Sequence, residues 1–135
     1  MPATTALFNG VEVPLTALFR EFVEANQGKV LGVAVGDGAG NPLAAHFESN
    51  VNIGRLCGLG GRLLESGAII GECLDLPGPS IALLKGESYH LYLWRVPVMG
   101  GPLVCVVRRG TETLETRFRA LGNRVSEILS PPPPR

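Results

Sequence analysis

Three glycines along one side of a single helix constrain this chain more than any other feature. The periodicity of Ile53 to Ile70 predicts a helix. Within it Gly54, Gly58 and Gly61 stand at i, i+4 and i+7, a stripe down one side. Each helix-interior glycine costs roughly 0.8–1 kcal/mol relative to alanine, so the stripe costs about 3 kcal/mol. A small domain is only marginally stable, so a cost of that size goes with close approach of another backbone. The apolar face of the same helix, Ile53, Leu56, Cys57, Leu63 and Leu64, suits packing on the chain's own sheet. The stripe borders that face, where a second subunit can dock. Two other readings stay open at this level: the glycines face the chain's own sheet, or they fray the helix into a loop.

The flanking periodicities alternate between 3.6 and 2. Pro14 to Asn26 predicts an amphipathic helix with Leu15, Leu18, Phe19 and Phe22 as its stripe, Pro14 in the first turn and Gly28 as its stop. Val30 to Val35 is a continuous apolar run, the pattern of a strand buried on both faces. Asp37-Gly38-Ala39-Gly40-Asn41 supplies turn chemistry, and the following strand sets Leu43, Ala45 and Phe47 against Ala44, His46 and Glu48, so a hairpin is expected. After the glycine-striped helix, Leu74 to Pro79 reads as a loop. Ser80 to Lys85, Ser88 to Arg95 and Leu103 to Val107 read as strands, with turns at Gly86-Glu87 and Met99-Gly100-Gly101-Pro102. Thr111 can cap a last helix whose stripe is Leu114, Phe118, Leu121, Val125 and Ile128. The order α-β-β-α-β-β-β-α predicts an α/β (α+β) sandwich with a five-stranded, mainly antiparallel sheet. Residues 1–130 read as a single domain. Residues 131–135, four prolines and an arginine, read as a disordered tail, or else as a ligand for an aromatic groove.

Composition narrows the function classes. Lys and Arg number 12, and so do Asp and Glu, so no global field draws the chain to nucleic acid or to an anionic membrane. Only 18% of the 135 residues are charged, below the roughly 25% of a usual soluble domain, which hints at a further buried interface. No apolar run approaches the ~18 residues of a membrane span, and the N-terminus lacks the basic and apolar regions of a secretion signal. A cytoplasmic location without membrane insertion is expected. Cys57, Cys73 and Cys105 are odd in number, widely spaced and set among apolar residues, so they read as reduced core cysteines.

Catalytic chemistry finds no foothold in these residues. Gly36 to Gly40 resembles a phosphate loop only in composition, because it leads into Asn41-Pro42 and another strand instead of a helix N-terminus. His46 and His90 lack ligating neighbours at metal spacing and read as partly exposed or hydrogen-bonded strand residues, His90 sharing a face with Tyr92 and Trp94. Cys105 lies in an apolar run that leaves it inert. Glu12, Asp75, Glu87, Glu112 and Glu115 belong to turns and helix starts. No enzyme, metal or cofactor is expected. Arginines are scattered: Arg55 and Arg62, two turns apart on one helix face; Arg108 and Arg109 after the last strand; Arg117, Arg119 and Arg124 on the last helix. The first pair reads as a solvated face, or as a contact for an acidic patch on a protein partner. Aromatic residues that would stack bases do not interleave with this set.

The element order and three local patterns resemble the roadblock/dynein light chain family. Leu31 to Leu43 is similar to its glycine-bracketed hairpin, Glu87 to Trp94 to its fourth strand, and Leu103 to Val107 with the following helix to its close. The resemblance runs from about Val11 to Leu129. It implies a homodimer or heterodimer in which the middle helices pack together and the third strands pair edge to edge into a ten-stranded sheet. Gly54, Gly58 and Gly61, with Ile81 and Leu83 of the pairing strand, would then form the dimer interface. Covering that edge would also remove an aggregation hazard. The resemblance further implies a role as a regulator of or platform for a small Ras-like GTPase, as in bacterial and archaeal members, with Arg55, Arg62, Arg108 and Arg109 as charged contacts. The glycine-rich middle helix and the Pro-Gly-Pro loop before the third strand depart from the family pattern.

The expected function is therefore a non-enzymatic homodimeric scaffold that regulates a small Ras-like GTPase. A small-ligand sensor of profilin-like fold and a structural subunit of a larger complex are the alternatives. Gly58→Leu is expected to break the dimer, and a sensor is expected to carry a ligand in a cavity between sheet and helices.

Overall fold

The computed structural model describes residues 10–76, 81–97, 100–108 and 114–130. The expected Thr111 cap, the prolines before the third strand and the 131–135 tail lie outside these residues. The order of elements is helix α1 (Glu12–Ala25), strands β1 (Val30–Gly36) and β2 (Pro42–Phe47), helix α2 (Ile53–Cys73), strands β3 (Ile81–Lys85), β4 (Tyr89–Arg95) and β5 (Pro102–Arg108), and helix α3 (Glu115–Leu129). The strands form one sheet in the order β2-β1-β5-β4-β3, antiparallel at every pairing. The expected α-β-β-α-β-β-β-α sandwich is thus present. β3 and β2 are its edges.

Two layers of helix cover the two faces unequally. On one face α1 buries Leu15, Phe19 and Val23, spaced i, i+4, i+8, and α3 buries Phe118, Leu121, Val125 and Leu129. They close over Val33, Val35, Tyr92, Leu103, Cys105 and Val107 of the sheet, with the Tyr92 and Phe118 rings 5.6 Å apart. α1 begins two positions before the expected Pro14. Glu12 opens its first turn beside the positive helix end, and Pro14 falls where no backbone donor is needed. Among the described residues the other face carries only α2, over a smaller cluster of Leu64, Leu93 and Val104.

α2 lies close to the sheet because small residues meet there. An alanine Cβ at Gly36 of β1 would stand 3.1 Å from Cys57 Cβ, and one at Gly60 would stand 3.0 Å from Val104 Cγ2 of β5. The sheet-facing glycine is therefore Gly60, which is off the predicted stripe. The helix is continuous through Gly54, Gly58 and Gly61, so they do not fray it, and it extends past the expected Ile70 to Cys73. Asn52 caps it, its Oδ1 accepting from the Arg55 backbone N–H at 3.1 Å.

Three sequence expectations are corrected. Leu63 is 39% exposed and not part of the sheet-packed face. Cys73 is exposed, whereas Cys57 and Cys105 are buried as expected. His90 is neither exposed nor hydrogen-bonded through Nδ1. It is buried on the α1–α3 face, opposite Val107, beside Tyr92 and Trp94, and that nitrogen has no partner.

Candidate functional site: the two flanks of the middle helix

α2 crosses the sheet transversely. Cys57 sits over β1, Gly60 over β5 and β4, and Leu64 in the β4–β5 cluster, after which the helix runs on past the described packing. Its length is about 31 Å at 1.5 Å per residue, against about 19 Å for the width of five strands. Ile69 and Ile70 in its last turns, and Leu74 and Leu76 just after it, are all more than half exposed, although Gly71 between them is buried.

Among the described residues the helix also leaves one end of the sheet bare. Toward the β3–β4 turn an apolar groove of about 800 Å³ opens between α2 and the strands. Leu56, Leu59 and Leu63 wall it on the helix side, and Leu84, Tyr89 and Val106 on the sheet side. Leu59, Leu63, Leu84 and Tyr89 are 39–51% exposed, a concentration of apolar surface that isolated exposed leucines do not make.

The opposite flank of α2 has a different character. There the β1–β2 turn, Gly58 and Gly61 of the stripe, and Gly100 and Pro102 at the start of β5 line a polar cleft of about 520 Å³. Gly40, at φ +84, faces the stripe so closely that a Cβ on it would lie 3.1 Å from the Gly58 Cα. The close backbone approach expected of a second subunit is made at Gly58 by the chain's own turn. Cβ atoms at Gly58 and Gly61 themselves would project into open space, and one at Gly54 would meet only Asn52 Oδ1 at 3.9 Å.

The turn is built by Asp37. Its buried carboxylate accepts from the Ala39 and Asn41 backbone N–H groups, both at 2.9 Å, which holds the loop as a turn between strands. Beside it, burial first and the Asp37 charge second push the Cys57 thiol up to about 11. Burial pushes the Cys105 thiol up as well. Neither is set up as a nucleophile.

The predicted arginines separate. Arg55 and Arg62 are exposed on the outer side of α2, Arg62 lining the polar cleft. Arg108 ends β5 at the other end of the sheet, and Arg109 lies outside the described residues. Arg95, at the end of β4, joins Arg62 on the cleft. Sequence reasoning missed it because the two are brought together only by the way α2 crosses the sheet. Ile81 is half-buried and Leu83 is 38% exposed, both on the β3 edge strand.

This arrangement of a five-stranded sheet, a transverse helix on one face and two helices on the other recurs in solved structures. MglB of Myxococcus xanthus superposes with a TM-score of 0.74 at 14% identity, over 85% of this chain and 94% of that one. The chain has the roadblock fold. The gliding protein MglB of Thermus thermophilus matches with a TM-score of 0.68 at 17% identity, over 90% of each chain. A roadblock/LC7 domain of Streptomyces avermitilis matches with 0.66 at 14% identity, over 84% of this chain and 90% of that one. No protein-family model and no curated protein matches the sequence. No helix among the described residues is long and apolar enough to cross a membrane.

Proposed function

We propose that this roadblock domain is a homodimeric, non-enzymatic scaffold that regulates a small Ras-like GTPase. The observation that carries the dimer is the bare apolar surface shared by α2 and β3. Among the described residues β3 pairs only with β4, and it exposes Leu84 on the α2 face and Leu83 on the opposite face. Antiparallel pairing of two β3 strands, about a two-fold axis perpendicular to the sheet, gives ten strands with both α2 helices on one face. The same operation turns the second copy end for end. The helix ends with their exposed Ile69 and Ile70 then come to the bare end of the other sheet, and the flanks carrying Leu59, Leu63 and Ile70 meet. Ile81 and Leu83 belong to the pairing strand, while the glycine stripe stands on the flank turned away from the second helix.

The GTPase half of the proposal rests on the fold, since the roadblock resemblance implies that role for bacterial and archaeal members. A scaffold of this kind acts by positioning the GTPase's own machinery, although an arginine supplied in trans can also accelerate hydrolysis. Arg55 and Arg62 are the outward cations on the paired helices, Arg108 stands at the other end of the sheet, and Arg109 follows it in the sequence.

Light scattering tests the dimer: the expected mass is twice 14.3 kDa. Immobilised protein offered cell extract with a GTP analogue or with GDP tests the regulator reading. A Ras-like GTPase retained in one nucleotide state is the expected result, and its absence in both states would overturn it. The groove favours one second reading, a sensor for an apolar small molecule. That reading expects a monomer of 14.3 kDa that co-purifies with a ligand.

A further inference from the structure

We infer that the polar cleft on the glycine flank of α2 takes a carboxylate-bearing, extended segment of a protein partner. Arg62 of α2 and Arg95 of β4 line it from two different elements, and neither forms an ion pair with a described residue. A guanidinium matches a carboxylate through two parallel hydrogen bonds, and two of them from separate elements bracket an acidic side chain between them. Glu65 lines the same cleft and offsets one cation, leaving a net charge of one. That balance suits a single carboxylate better than a doubly charged phosphate. The Glu65 carboxylate supplies an acceptor for a backbone N–H of the incoming segment.

The floor supports the same occupant. No Cβ projects from Gly58 or Gly61, and the space their side chains would fill is open. A main chain can therefore lie against the helix at Gly61, alongside the chain's own Gly40, which already approaches Gly58. The cleft is on the opposite flank from Leu59 and Leu63, so it stays accessible whether or not two copies pair through that flank. The inference goes beyond the proposed function, because it requires neither the dimer nor a GTPase.

The test is an amide NMR titration of the whole chain with two probes, an acetylated Gly-Glu-Gly-Asp-Gly peptide amide and inorganic phosphate. The peptide is expected to shift the amides of Gly40, Gly58 and Gly61, and Arg62→Ala with Arg95→Ala is expected to weaken it at least tenfold. Gly61→Leu, which leaves both arginines in place but fills the floor, is expected to weaken it to a similar degree. A matched Gly-Gln-Gly-Asn-Gly peptide is expected to leave those amides unmoved. Equal shifts with phosphate would show a generic anion site and overturn the inference. Shifts that survive the arginine substitutions, or no shifts at all with the peptide, would overturn it as well.

Discussion

At the scale of single residues, substitutions separate glycines that are needed from glycines that are not. A Cβ on Gly101 would lie 2.0 Å from the Gly36 carbonyl oxygen, and backbone cannot give way as a side-chain tip can. Gly101→Ala is therefore expected to lower unfolding free energy by about 3 kcal/mol, read from urea denaturation. Gly61→Ala removes a helix-interior glycine into open space and is expected to raise it by up to about 1 kcal/mol. The thiols give a second prediction. With Cys57 and Cys105 buried and Cys73 exposed, a thiol reagent is expected to modify Cys73 rapidly and the others only on unfolding. The Cys57 thiol holds its proton to about 11 in the fold, against an ordinary value of 9.0. Below pH 9 both states keep the proton and nothing changes. As pH rises from 9 towards 11 the unfolded chain loses it first, so stability falls, and a Cys57→Ala variant is expected to show a shallower decline in urea midpoints.

At the scale of elements, α2 decides the chemistry of the surface because its two flanks differ. On one side Leu59, Leu63 and Ile70 leave apolar area exposed; on the other Gly58 and Gly61 meet a turn and a polar cleft. Leu63→Asp with Ile70→Asp is expected to halve the solution mass, since exposed positions tolerate charge in a monomer but not in a buried pair of flanks. Gly58→Leu discriminates the two flanks. If the stripe carries the dimer it too produces a monomer, and if the leucine flank does, the mass stays doubled. The hairpin, the helix limits within a few residues, and the α1 and α3 stripes were all legible in the sequence, because each depends on side chains a turn or a strand apart. The role of the glycines was not. Gly58 answers to Gly40, and Gly60 to Val104, partners that no local period connects to them. His90 shows the same limit: alternation assigned its face, but its burial depends on layers contributed from both ends of the chain.

For the whole molecule, the uneven covering of the sheet is the governing fact. Two helices and a large core close one face, while among the described residues one long helix leaves the other partly bare. Charged residues make up only 18% of the chain, which fits a molecule that keeps part of its surface for another protein. The sequence by itself determined the order and kind of the elements, the sandwich class and the resemblance to roadblock proteins, since patterns of period 2 and 3.6 are written in neighbouring residues. Only the tertiary structure decided that α2 lies across the strands, that its leucines and glycines open onto different surfaces, and that Arg95 joins Arg62. Those outcomes follow from which small residues let two distant backbones approach, a property of pairs far apart in the chain.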